Sequence, residues 1–272
     1  MKETSATGFF RMVVNPNLRL QDPFKKKLLC SDCEIKFSKN ETYFANNIFY
    51  PHVDKKLTKI KPDQKIKKFI VSVNWRMLSN SFQEEKIPLW GKSIIKDCLE
   101  DLRQYLNNEK KDCHYENHIF FLGPVEGAST GVIMPKGFNQ YLLRAIDSTV
   151  VFRKPRFLKP SILLQYTKFP FFILVTLIKP KKNKKWVNTL VSDGGISLEK
   201  QRIKDRDFGS FLLERAKLSM SHLDDMSQKQ NNVIIKSLLK NSTKVLTSRS
   251  YEAFLADEAL EKQQIVQRNG KS

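Results

Sequence analysis

Cys30 and Cys33 are the residues of this chain best spaced for metal chemistry. Two thiolates in a Cys-x-x-Cys at the start of a helix can share one tetrahedral zinc ion, and the positive end of the helix favours their charge. A structural zinc takes four ligands. The other candidates are Cys113, His114, His118 and His52. One expectation is therefore a composite site of Cys30, Cys33, Cys113 and a histidine; the other is a zinc half site at Cys30 and Cys33 alone. The same pair also has the spacing of a redox dithiol, although no strand–helix–strand pattern surrounds it. Cys98 falls on the apolar face of its helix and reads as core. The sequence holds no Ser-His-Asp order and no glycine-rich phosphate loop, and Gly194-Gly195 is a turn signal.

The second chemical feature is charge. The 272 residues contain 48 Lys and Arg against 28 Asp and Glu, a formal net charge of +20. An excess of this size repels itself in the folded state and points to a polyanionic partner. The 45 residues from Ser148 to Ser192 hold no carboxylate and ten basic side chains, among them Lys154, Arg156, Lys179, Lys181, Lys182, Lys184 and Lys185. Residues 179–185 join two predicted strands and are expected to form an exposed hairpin tip that contacts nucleic-acid phosphates. The competing reading is a solubilising turn that guards an apolar strand against edge pairing. Trp186 and Tyr166 flank the patch and could stack on bases, but beside a strand they also read as core. A second basic stretch, Lys55 to Lys68, reads equally well as a phosphate-contacting linker or a solvated connector.

Composition excludes several classes. Hydrophobic residues make up 40% of the chain, with 19 Phe, so it is neither disordered nor collagen-like. Four cysteines do not make a disulfide framework, and Met1 to Gly8 lacks a signal-peptide pattern. The longest apolar run, Phe169 to Ile178, is far short of the roughly 20 residues of a membrane span. The expectation is a cytoplasmic protein with reduced thiols and no membrane partner.

The elements that position these residues follow from hydrophobic period. Helices are expected over 34–49, ended by Pro51, then over 67–81 and 92–107. Strands are expected over 118–122, 131–134, 149–153, 161–166, 171–178 and 186–191, with a short helix at 139–146. The run Phe171 to Ile178 is apolar on both faces and should be a central strand. Helices return over 208–222, 225–240 and 250–264. Asp205 to Asp207 should cap the first of these, and Asp224-Asp225 the second. The fold class is α+β, a central, mainly antiparallel sheet flanked by N-terminal and C-terminal helices, with a degenerate treble-clef-like zinc knuckle near the N-terminus. Three segments are expected: 1–54 as the knuckle, 55–112 as helices packed on it, and 113–272 as the sheet with the C-terminal helices.

On the first helix, 100° steps put Phe37, Glu41, Phe44 and Ile48 on one stripe. An unpaired carboxylate there is costly. On the next helix Phe69, Val73 and Arg76 share a face, so a buried Glu41–Arg76 ion pair between the two helices would resolve both anomalies.

The stretches Lys2 to Gly8, Asn15-Pro16-Asn17, Gln21-Asp22 and Leu28-Leu29-Cys30-Ser31-Asp32-Cys33-Glu34 through Phe49-Tyr50-Pro51 resemble a group of uncharacterised bacterial proteins with an HNH-type zinc element. Trp75-Arg76, Asn117 to Phe121 and Leu142 to Asp147 resemble the same group, so the likeness covers most of the chain. Its longer members have a further Cys-x-x-Cys and a Ser-His-Ile-Ile-Pro segment before the point where this sequence begins, and that histidine is the HNH-type base. The resemblance implies a nucleic-acid target, most directly DNA. It also implies that the chain as given is catalytically incomplete, because no residue here fills the base role of a metal-assisted hydrolysis. The first alternative is a metal-dependent endonuclease completed by an upstream segment or another subunit. The second is a metal-free interaction protein for an acidic partner.

Overall fold

The computed structural model describes residues 10–12, 15–20, 28–84, 87–127, 132–153, 162–180, 182 and 184–269. Strands β1 (Phe10–Met12) and β2 (Asn15–Leu20) form a ribbon and precede α1 (Ser31–Phe44), which passes through a π turn (Ala45–Phe49) into α2 (Tyr50–Val53). After β3 (Lys59–Ile60) come α3 (Gln64–Gln83) and α4 (Leu89–Leu106). The middle of the chain holds β4 (Asn117–Phe121), α5 (Phe138–Arg144), β5 (Asp147–Arg153), β6 (Ile162–Phe169) and β7 (Phe172–Lys179). Three short strands follow, β8 (Trp186–Val187), β9 (Ile196–Ser197) and β10 (Arg202–Ile203). The chain ends in α6 (Arg206–Asp224), α7 (Gln228–Lys240), α8 (Ser242–Leu246) and α9 (Arg249–Asn269).

The class is α+β with antiparallel sheets. The largest sheet has the order β4-β7-β6-β5. Its β7 lies between β4 and β6, and Phe172 to Ile178 are all buried, as a strand apolar on both faces requires. Residues opposite one another in an antiparallel ladder point to the same face, so Asn117, Thr176, Gln165 and Val150 look one way. That face is covered by α3, whose Asn74 amide donates to the Thr176 hydroxyl at 2.9 Å. The other face carries Phe120, Tyr166, Ile173, Val175 and Leu177, packed on Trp186 and on Phe208 of α6. The largest apolar cluster draws on Phe44, Phe69, Ile119, Phe172 and Leu260, and so takes side chains from all three predicted segments.

Local rules account for most boundaries. Asp63 caps α3 by accepting from the Ile66 N–H at 2.9 Å, and Asp205 caps α6 through the N–H groups of Asp207 and Phe208. The β6–β7 turn is Pro170-Phe171, with Pro where its fixed φ suits the first turn position and Phe171 left-handed at φ 69°. Gly137 precedes α5 at φ 69°, where a side chain would be strained and would also run into Met220.

Four sequence expectations are corrected. Pro51 does not end the first helix, because the ladder shifts to an i→i+5 bond, Tyr50 N–H to Ala45 O, and the chain stays helical to Val53. Val132 to Met134 form no strand; Val132 and Ile133 are exposed, and the Met134 N–H is taken by the Gln264 side chain. The cap of α7 is Ser227, not Asp224-Asp225, since Asp224 is still the last residue of α6. Finally, the strand that follows the lysines does not pair with β7, so no β7–β8 hairpin forms. Both edges of β7 are already filled by β4 and β6, so the strand after the lysines has no ladder to join there. It is cut to Trp186–Val187 and pairs with β10. Among the described residues no helix is long and apolar enough to cross a membrane.

Candidate nucleic-acid interface

Three chain segments meet at one end of the central sheet. Lys179 closes β7, and the exposed lysines 182, 184 and 185 follow it. The partner strand β4 begins there, because Leu177 N–H donates to Glu116 O at 2.9 Å, one step beyond the Asn117–Thr176 pair. On the free edge of β4, Ile119 N–H donates to Thr189 O at 2.9 Å and Val191 N–H to Asn117 O at 2.8 Å, which carries the chain toward Asp193 at that same end.

Each segment brings basic side chains. The Lys67 ammonium lies 2.5 Å from Asp193, and that contact, with Lys111 and Lys61 nearby, holds the Asp193 carboxyl below its ordinary value. Lys68 donates to the Asn108 side chain, and its ammonium is lowered by burial and then by the charge of Lys36 on α1. Pairing of β8 with β10 sets the exposed Arg202 and Lys204 beside Lys184 and Lys185, with Lys204 N–H donating to Lys185 O at 2.9 Å. By strand register Lys179 reaches the sheet end where Lys61, Lys67 and Lys111 gather around Asp193, while Arg202 and Lys204 extend the stretch of Lys184 and Lys185. Their contribution is invisible to composition counted along the chain, since it depends on which strands pair. Lys154, Arg156 and Lys181 lie outside the described residues.

The flanking aromatics are core rather than stacking platforms. Trp186 is 5% exposed and Tyr166 fully buried, its hydroxyl bonded to Tyr141 at 2.9 Å.

Cys30 is the exposed N-cap of α1 and Cys33 lies in its first turn. Cys30 accepts from the Cys33 backbone N–H and thiol, which lowers its own thiol and raises that of Cys33. The composite zinc set does not assemble. Among the described residues no three His, Cys, Asp or Glu side chains are grouped to hold a metal. His52 is enclosed by Phe121 and Phe172 and faces Leu122 O at 3.0 Å, with burial lowering its pKa. His118 is buried under Trp186 with Nδ1 2.9 Å from the Thr189 hydroxyl.

Cys113 and His114 belong to a different site. The Asp101 carboxylate, 7% exposed on α4, accepts from Lys110 Nζ at 2.9 Å, the His114 backbone N–H at 2.9 Å and His114 Nδ1 at 2.5 Å. Burial alone would raise this carboxyl; the Lys110 and His114 donors outweigh it and leave it below its ordinary value. The Cys113 thiol turns inward to Asp101 and the Tyr115 carbonyl, and burial pushes it up to about 12. The His114 ring is 68% exposed and opens on a cleft of about 370 Å³ walled by Asp97, Glu100, Asp101, Gln104, Lys110 and Tyr115. Glu100 is held down to about 2 by Arg103 and Gln104. The sequence signals for this cleft were the i, i+3, i+4 carboxylates of α4 and a histidine just ahead of a strand, but their contact spans a helix end and a loop.

Arg76 Nη2 donates to Glu41 Oε1 at 2.6 Å, and the Arg76 guanidinium lies over the Phe37 ring at 5.9 Å. The side chains are 42% (Glu41) and 24% (Arg76) exposed, so the pair sits at the rim of the α1–α3 contact and not within the core as expected. Phe37, Phe44 and Ile48 of the same stripe are buried, so Glu41 is its one member that reaches solvent.

No family model, no curated protein and no solved structure matches the chain.

Proposed function

We propose that the protein binds nucleic acid through its backbone, largely without reading sequence. The observation that supports this is the placing of Lys179 at the sheet end where Lys61, Lys67 and Lys111 surround Asp193, with Arg202 and Lys204 set beside Lys184 and Lys185, in a chain of net charge +20. Lysines on irregular segments suit phosphate contact, because each is a mobile point charge that releases a condensed counterion. The resemblance to HNH-type zinc proteins favours the same target class. It adds a subsidiary proposal, that Cys30 and Cys33 supply half of a zinc site whose other ligands come from elsewhere. Zinc analysis of purified protein and of a Cys30→Ser, Cys33→Ser variant tests that point.

The main test is a salt titration of duplex and single-stranded binding. Binding should weaken steeply with salt, and a Lys179→Ala, Lys182→Ala, Lys184→Ala, Lys185→Ala variant should lose about 0.7–0.9 from the logarithmic slope for each contact removed. A variant that keeps the full slope sinks the assignment of these lysines. An acidic protein partner would instead give binding without that linear dependence.

A further inference from the structure

The histidine–carboxylate pair stands on the same sheet end as the lysines. Glu116 faces Leu177 across the ladder, His114 lies two residues before Glu116, and Lys179 two residues after Leu177. The order of Asp101 and His114 has a chemical consequence. An ionised carboxylate only accepts, so the 2.5 Å contact with Asp101 requires the proton of neutral His114 on Nδ1 and leaves a lone pair on Nε2. No described side chain bonds Nε2, and the ring projects into the cleft. Asp101 is fixed from other directions by Lys110 and by the His114 backbone, so its bond to Nδ1 orients the ring while Nε2 stays open. This is an oriented proton acceptor.

What it deprotonates is narrowed by its surroundings. The Cys113 thiol points inward to Asp101, the Tyr115 carbonyl and Asn117, and burial pushes the Tyr115 phenol on the cleft wall up to about 12, so neither is a ready nucleophile. The reacting hydroxyl therefore arrives with the ligand. The neighbouring lysines select a polyanion, and RNA is the polyanion that carries a hydroxyl next to every phosphorus. We infer that His114 is the general base of an RNA-cleaving site, with Asp101 as its positioning residue. The inference rests on the nucleic-acid reading above and goes beyond it in naming RNA and a reaction.

The step balances without an added reagent. His114 Nε2 takes the 2′-OH proton, and the 2′ oxygen forms a bond to the adjacent phosphorus. The bond from phosphorus to the 5′ oxygen of the next nucleotide breaks, and that oxygen takes a proton from water. The products are a 2′,3′-cyclic phosphate and a 5′-hydroxyl end, and the imidazolium returns its proton to the hydroxide left by the water. Of the cleft carboxylates, Asp101 is paired with Lys110 and Glu100 shares Arg103 with Glu109, so the attraction for a phosphate comes from the lysines beside the cleft and not from its walls.

The experiment uses the full chain with a 5′-labelled single-stranded RNA in the presence of a chelator, and DNA of the same sequence beside it. RNA should be cut to 2′,3′-cyclic phosphate ends, and DNA bound but left intact. His114→Gln should slow cleavage about a hundredfold with RNA binding unchanged, in line with the loss of a general base. His114→Ala should behave likewise and recover part of its rate when free imidazole is added, which a structural role for the ring would not produce. RNA that is bound and stays whole, or is cut equally by His114→Gln, overturns the site and leaves the binding reading standing. RNA and DNA that are not bound at all overturn the binding reading itself, and the site with it.

Discussion

Strand β7 joins two unlike environments. At its start, Phe172 is packed against Phe44 at 5.5 Å, Phe49 at 5.7 Å, Phe121 at 5.2 Å and Phe169 at 5.3 Å between ring centroids, and His52 is sealed among them. At its far end, Thr176 carries a polar chain: Asn74 donates to its hydroxyl, which donates to Asn117 Oδ1 at 2.6 Å, and Asn117 in turn reaches Cys113. Three residues later Lys179 is in solvent. One end is an aromatic clamp that α1, α2 and α3 share; the other is a hydrogen-bonded anchor for the loop that presents His114. The difference assigns stability to the first and a poised surface to the second. A dispersion-packed core tolerates no missing volume, whereas a polar anchor fixes direction at small net energy.

If that division holds, the largest effect should come from the aromatic end. Phe172→Ala should lower unfolding free energy by about 3–5 kcal/mol, the range for a buried phenylalanine that leaves a cavity. Denaturant midpoints measure it, and a loss under about 1 kcal/mol, small beside that range, would dissolve the contrast between the two ends.

A fully buried lysine on the neighbouring strand gives the second effect, with opposite sign. Lys168 donates to Ala145 O at 2.8 Å and lies over the Tyr141 ring, near Asp147, whose carboxylate is held by Arg215 and Tyr141. Burial first, only partly opposed by Asp147, lowers its pKa from 10.5 to about 7. Below pH 7 the folded and unfolded chains both carry the proton and the cost of burying the charge is complete. Between pH 7 and 10.5 only the unfolded chain keeps the proton, so stability rises with pH. Lys168→Met should therefore raise stability at pH 7 by on the order of a few kcal/mol and flatten the slope above it. An unchanged slope would mean the ammonium is solvated by some other route.

How much of this was legible in the sequence follows the range of each interaction. Helices α3 and α4 and the central position of β7 come from periodicity and an unbroken apolar run, which are local signals. The Glu41–Arg76 contact follows from helical faces, but its exposure does not, because that depends on where the rim of the packed α1–α3 contact falls in the tertiary fold. The expected pairing of β8 with β7 fails for a related reason: a strand pairs only with a vacant edge, and vacancy is a property of the whole sheet. The convergence of Lys61, Lys67, Lys111 and Lys179 and the meeting of Asp101 with His114 are tertiary, and neither spacing nor composition encodes them.

The polar end can be tested by a change that keeps shape. Thr176→Val preserves volume and removes the hydroxyl that Asn74 and Asn117 share, leaving a buried donor and a buried acceptor without partners. The expected cost is about 1–3 kcal/mol, less than at Phe172. Amide exchange of residues 113–117 should rise at the same time, since Asn117 ties that loop to the strand through the Tyr115 carbonyl. A loss with no change in exchange would separate the anchor from the loop.

The smallest effect is expected at the rim of the clamp. Glu41→Gln removes one charge from a pair whose carboxylate is 42% exposed, where water already screens the attraction and no buried partner is stranded. Arg76 keeps its bond to the Ser72 carbonyl and its place over Phe37 in the variant. The stability change should stay under about 1 kcal/mol and shrink further in added salt. A double-mutant cycle with Arg76→Met isolates the coupling. A coupling of several kcal/mol would show that the α1–α3 contact is held by charge at its edge, and that the aromatic end of β7 is not the sole source of its rigidity.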